Sequence, residues 1–253
     1  MDCVAQCYET QIAKRIHYKA TATAGFVERH RSSGTFDHRR SCMTPLTAQL
    51  LNPERLWSRQ EVLSRVCPAP NEPGIYAWYF RNVPGVPIEE CVAHGEMALM
   101  YVGIAPTVPP RNWRPPSSRR GLFHRIRDHF QRNADCSTLR LTLGCLLSQQ
   151  LSISLRRVGS GRRLTFASGE QRLSGWMDKN AFVTWMVHLE PWVLEEELIR
   201  MVSLPLNLDM NRAHPFHKTL SAIRSEAKQL ARSLPILANP ELQPSDYSLS
   251  TES

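Results

Sequence analysis

No run of apolar residues in this 253-residue chain approaches the roughly 18 that a bilayer crossing requires. The first residues also lack the hydrophobic core of a secretory signal, so a soluble, cytoplasmic protein is expected. The seven cysteines contain no CxxC pair, and an odd number scattered from Cys3 to Cys145 suits neither a zinc ribbon nor a disulfide framework. Free thiols in a reducing compartment are the simplest reading. There is no internal repeat, and no RNP motif or KH loop that would mark an RNA-binding module. Negative charge is scarce as well. Asp and Glu number 23 against 31 Lys and Arg, a net charge of +8 that favours a polyanionic partner such as nucleic acid.

An apolar fraction of 42% leaves enough material for a sizeable core. Residues 1–42 mix His, Arg, Ser, Thr and Gly without periodicity and read as a disordered extension, with Met43 as the expected natural start. A helical lead-in over 43–70 carries Leu46, Leu50 and Leu51 in one piece and Val62, Leu63 and Val66 in another, split by Pro53. The main domain spans 71–213 with an insertion at about 137–180, followed by a basic amphipathic helix within 214–239 and a disordered tail over 240–253.

Two strands stand at the centre of this plan, Pro73–Phe80 and Leu99–Ile104, both rich in aromatic and β-branched residues. Each sets a Tyr beside a Gly, where backbone can approach a ligand closely. A helix is expected over 121–131, its apolar side made by Leu122, Phe123, Ile126 and Phe130. Within the insertion, Leu139–Leu151 reads as helix. A hairpin turns at Gly159-Ser160-Gly161, and a short helix lies near Gly169–Asp178. Ala181–Leu189 is a strand, and Pro191 opens a helix that runs to about Ser203.

On the 121–131 helix, Arg125 and His129 are four apart and share a flank beside the apolar stripe. A solvated basic flank is the bland alternative. On the 191–203 helix, Trp192, Leu198, Ile199 and Val202 all fall within about 60° of Glu195, which places this carboxylate in the apolar stripe. A carboxylate there is costly unless a cation, a metal or good donors meet it.

These residues together resemble the GIY-YIG nuclease family. Its two name-giving motifs are matched by Gly74-Ile75-Tyr76 and, with Val for Ile, by Tyr101-Val102-Gly103. The family's helix Arg is matched by Arg125, and its restriction-enzyme members add a His one turn later, matched by His129. Its metal-binding Glu stands three before a Leu-Ile pair, as Glu195 does before Leu198-Ile199. Its Asn follows a Pro and an apolar residue, as Asn207 follows Pro205-Leu206.

The resemblance implies an α/β (α+β) fold with a small three-stranded antiparallel sheet flanked by helices. It implies an endonuclease that hydrolyses DNA phosphodiester bonds with one divalent metal ion, Mg2+ or Mn2+, on Glu195. Tyr76 would be the general base, Tyr101 would position or assist, His129 would share protons with either Tyr or bind phosphate, Arg125 would stabilise the transition state, and Asn207 would fix the site by hydrogen bonds. A phenol ionises near pH 10, so only about one part in a thousand is phenolate at neutral pH, and cationic neighbours must favour that form. The insertion and the terminal helix resemble the extra segments that larger members use for DNA contact.

Candidate phosphate contacts are Arg111, Arg114, Arg119, Arg120, Arg127 and Arg132, then Arg156, Arg157, Arg162 and Arg163 on the hairpin, with Arg224 and Lys228 beyond. A non-catalytic nucleic-acid-binding module and an RNA-directed nuclease are the alternatives. His214 and His217, three apart around Pro215, favour a capping or core role over metal binding.

Overall fold

The structure, a computed structural model, describes residues 45–106 and 120–238. Two short helices, α1 (Pro45–Leu51) and α2 (Arg59–Leu63), lead in. The second begins with a capping box in which Ser58 and Glu61 satisfy each other's backbone donors. The strands are β1 (Gly74–Phe80), β2 (Ala93–His94), β3 (Met97–Ala105) and, later, β6 (Ala181–Val187). They form one antiparallel sheet in the order β2-β3-β1-β6. The three expected strands are present, and a two-residue fourth joins them at the edge. It arises because the connection after β1 folds back through a two-residue turn on Gly95, whose φ of +60° suits glycine.

β1 is central and buried along its whole length because both faces of the sheet are covered. Tyr76, Trp78 and Phe80 face one core, with Leu122, Ile126 and Phe130 of α3 (Leu122–Gln131) and Leu173 and Met177 of α5 (Gly169–Asn180). Ile75, Ala77 and Tyr79 face the other, with Leu194, Leu198 and Ile199 of α6 (Pro191–Met201) and Leu50 of α1. Alternation along a strand produces this split directly. A bulge in the β1–β3 register lies between Trp78 and Tyr79. Beyond it Tyr101 stands opposite Trp78 and Gly103 opposite Tyr76, so both motif tyrosines face the α3 side.

The insertion packs as α4 (Thr138–Leu146), the hairpin β4 (Arg156–Val158) and β5 (Arg163–Thr165), and α5. Its anchor is Arg140, fully buried, with Nη2 2.7 Å from Glu170 Oε2 and Nη1 donating to the Phe130 carbonyl at the end of α3. The last helix, α7 (His217–Ser233), lies against α4 and β4. Among the described residues no helix is long and apolar enough to cross a membrane. The expected extension 1–42, Arg111, Arg114, Arg119 and the tail from 240 lie outside the described residues.

Candidate active site

A cleft of about 460 Å³ opens where the end of β3 meets the surrounding helices. β1 and β3 contribute Tyr76, Tyr101 and Gly103, α3 contributes Arg125, and α6 contributes Glu195. The segment after α6 brings Asn207 and Asp209, α4 brings Thr138 and Thr142, and α7 brings Arg224.

Both motif glycines answer to close approach. A Cβ on Gly74 would stand 2.3 Å from the Met186 carbonyl oxygen on β6, and one on Gly103 would stand 2.6 Å from the Tyr76 hydroxyl oxygen. The first glycine allows strand pairing and helix packing, whereas the second makes room for a site residue.

Tyr76 is 1% exposed and His129 is fully buried. The imidazole does not line the cleft and stands behind the phenol, Nε2 2.8 Å from the Tyr76 hydroxyl. Its Nδ1 lies 2.6 Å from Ser137 Oγ, which as N-cap of α4 also accepts the Arg140 backbone N–H. Ser137 has one proton to donate and is itself buried, so bonding to Nδ1 satisfies it. On that assignment Nε2 carries the ring proton and donates to Tyr76. Burial, with Arg125 and Arg140 nearby, holds His129 well below the usual imidazole range and therefore neutral. Burial also pushes the Tyr76 phenol above its ordinary range, and Tyr101 adds to this, while Arg125 pulls the other way. Tyr101, raised by burial too, has its hydroxyl 3.5 Å from Thr138 Oγ1.

Arg125 donates from Nη1 to the Cys136 carbonyl at 3.1 Å, while its Nε is shut off from solvent without a partner among the described residues. Burial works against its charge, and the Tyr76 phenol beside it works the other way, so the guanidinium stays cationic as arginine ordinarily is. The guanidinium nevertheless lines the cleft, where its remaining donors can meet an anion.

Glu195 lies on the buried face of α6, between Leu198 and Ile199, and is itself only partly buried. Trp192 and Val202 are partly buried and pack on the same cluster, and the Glu195 carboxylate faces the cleft. Burial and then Asp209 push its pKa up to about 7. No hydrogen bond or ion pair from a described residue meets it. A desolvated carboxylate facing a second one is a donor set short of a cation. Among the described residues no three His, Cys, Asp or Glu side chains gather into a closed metal cage. One or two carboxylates that share a cation with water and substrate phosphate is the arrangement Mg2+ commonly takes, so these residues fit such an ion.

Asn207 is 7% exposed, and its amide accepts from the Val102 N–H and donates to the Val102 carbonyl, both at 2.9 Å. With the Leu206 N–H donating to Met100 O at 3.0 Å, it completes the edge of β3 that β2 is too short to cover. Asn207 therefore shapes the floor of the cleft. His214 accepts the Phe216 N–H at Nδ1 and has Nε2 3.0 Å from Ser203 Oγ, a local brace.

The arginines expected on phosphate are differently engaged. Arg120 and Arg132 both pair with Asp128. Arg127 donates to the Val62 carbonyl and Arg156 to that of Pro235. Arg157 donates to the Ala231, Arg232 and Leu234 carbonyls and so caps the end of α7. Arg163 pairs with Asp135, and Arg162 is exposed.

Ser137, Thr138, Thr142 and Asp209 are site residues that sequence reasoning does not single out. The four-residue spacing of Thr138 and Thr142 on one helix was the available signal, as was the placing of Asp209 two after Asn207. The segment read as an attachment for DNA contact supplies, through α4, a wall of the site itself.

A family model described as the GIY-YIG catalytic domain matches residues 74–226, a range that takes in the segment 137–180 and the first half of α7. No curated protein and no solved structure matches.

Proposed function

The chain belongs to the GIY-YIG nuclease family, and from that premise we propose that it is a divalent-metal-dependent endonuclease acting on DNA. The observation that carries this reading is one cleft lined by Tyr76, Tyr101, Arg125 and Glu195. These groups meet the needs of phosphodiester hydrolysis, which are a proton acceptor for water, positive charge on the phosphate, and a developing charge kept from bulk solvent.

Arg125 binds a non-bridging phosphate oxygen through the guanidinium donors that line the cleft. Tyr76 takes the proton of the attacking water, and the Nε2–H of His129 together with Arg125 favours its phenolate form. Ser137 holds that tautomer from behind. Tyr101, steadied by Thr138, orients the water or the phosphate. A cation held by Glu195, with Asp209 beside it, would add positive charge at the phosphate and make bound water more acidic. Asn207 keeps β3 and the segment after α6 in register. The four described cysteines carry free thiols, which supports a place in the cytoplasm.

A plasmid-nicking assay with Mg2+ or Mn2+, set against chelator and against Glu195→Ala and Arg125→Ala, tests the reading. Metal-dependent nicking that each variant loses by about 100-fold or more is expected. Nicking of a matched RNA in preference to DNA would move the substrate class, and wild-type rates in either variant would remove the assignment.

A further inference from the structure

The cleft holds a second guanidinium that the hydrolytic steps proposed for Arg125 and Tyr76 do not use. Arg224 of α7 lines it with Thr138 and Thr142 of α4. Arg224 is half-buried, and its hydrogen bond to Thr142 is a long donation, 3.3 Å, from Nη1 to Oγ1. No carboxylate among the described residues pairs with it, in contrast to Arg120, Arg132, Arg140 and Arg163, each of which has one. A guanidinium has five donors in a planar fork, and a neutral hydroxyl on one of them leaves most of that capacity and all of the charge unanswered.

Its support is rigid. α7 buries Leu220 and Ala231, and Arg157 caps its far end. Thr138 and Thr142 are one turn apart on α4, which is anchored by the buried Arg140–Glu170 pair. A fixed cation with two hydroxyls beside it, in a pocket open to solvent, is a set of donors suited to a phosphate. The cleft volume of about 460 Å³ falls in the range of ligand pockets that take a molecule of many atoms, so the space exceeds one phosphate group.

We infer that Arg224, with Thr142 and Thr138, forms a second phosphate subsite in the cleft, which takes a backbone phosphate neighbouring the one that Arg125 binds. The inference rests on the nuclease reading and adds a substrate contact supplied by the insertion and the terminal helix. The substrate strand is thereby held at two phosphates, and the second sets which bond lies over Tyr76. Two fixed contacts orient a strand where one allows rotation.

The test is the salt dependence of duplex DNA binding by the full chain in chelator, so that no strand is cut. Removing one cation from a phosphate should reduce the slope of log K against log salt by about 0.9. Arg224→Gln is expected to lower the slope by about that amount, and Arg224→Lys, which keeps the charge, to restore it. Arg125→Ala combined with Arg224→Gln should lower it by about twice as much, because the two arginines act on separate phosphates. Thermal melts of each variant guard against a folding defect.

If the double variant falls no further than either single one, the two arginines share one phosphate and the inference is overturned. An unchanged slope in a folded Arg224→Gln overturns the subsite and leaves the nuclease reading intact. Failure of the wild-type chain to bind duplex DNA at low salt overturns the subsite and the DNA reading together.

Discussion

His129 meets Tyr76 from behind, Nε2 to hydroxyl oxygen at 2.8 Å, with neither ring open to the solvent. The contact couples a residue that lines the cleft to one that does not. Replacing His129 by Ala leaves the Tyr76 and Ser137 hydroxyls without their partner in a dry site. A stability loss of about 1–3 kcal/mol is expected in urea unfolding, together with a large loss of nicking. His129→Gln, which offers an amide N–H to the phenol, should recover part of both. Because burial holds the ring neutral, its NMR shifts should show no titration near pH 6.5.

Glu195 gives the site a pH and metal signature that is readable without cleavage. Its pKa is raised to about 7, so the folded chain holds that proton more tightly than the unfolded one. This contribution to stability is fully present below the ordinary carboxyl range and is lost as pH rises through about 7. A cation requires the ionised form and so acts in the opposite direction. The rise in Tm on addition of Mn2+ or Mg2+ should therefore be larger at pH 8 than at pH 6 and absent in Glu195→Gln. Equal shifts at both pH values, or a shift kept by the variant, would show that the cation binds elsewhere.

Gly103→Ala places a methyl group where the Tyr76 hydroxyl stands, 2.6 Å away. The phenol must move, and displacement of a reacting group by about 1 Å costs on the order of 100-fold in rate. Nicking should fall by about that factor, while far-ultraviolet circular dichroism stays that of the wild type. An active Gly103→Ala would separate Tyr76 from the chemistry.

Asn207→Ala removes both partners of Val102 from the edge of β3. A loss of about 1–3 kcal/mol in stability is expected from urea titration, with cleavage reduced through displacement of the cleft floor. Asn207→Asp should be no better, since a carboxylate accepts from the Val102 N–H and repels its carbonyl. Wild-type stability in Asn207→Ala would show that the edge of β3 holds without this amide.

The strands, most helices and the two motifs were legible in the sequence because each depends on local order. Gly-Ile-Tyr and Tyr-Val-Gly lie on continuous apolar runs rich in aromatic and β-branched residues, and the helix over 191–201 follows from Pro191 and a repeat of 3.6. That Arg125 and Glu195 belong with the tyrosines was legible only through their order and spacing. What could not be read was the environment of each group. Glu195 shares the face of α6 that packs on the sheet yet opens on the cleft, and its proton affinity follows from burial and from Asp209. His129 looks like a reactive partner in a helical wheel, yet packing against Trp78 and Tyr76 seals it behind the phenol. The back wall shows the division most clearly. Ser137, Thr138 and Thr142 carry no motif, and they reach His129, Tyr101 and Arg224 because the buried Arg140–Glu170 pair docks α4 against the end of α3. Local periodicity decides which residues share a face. Which faces meet depends on contacts between residues far apart in the chain, and those exist only once the core has closed.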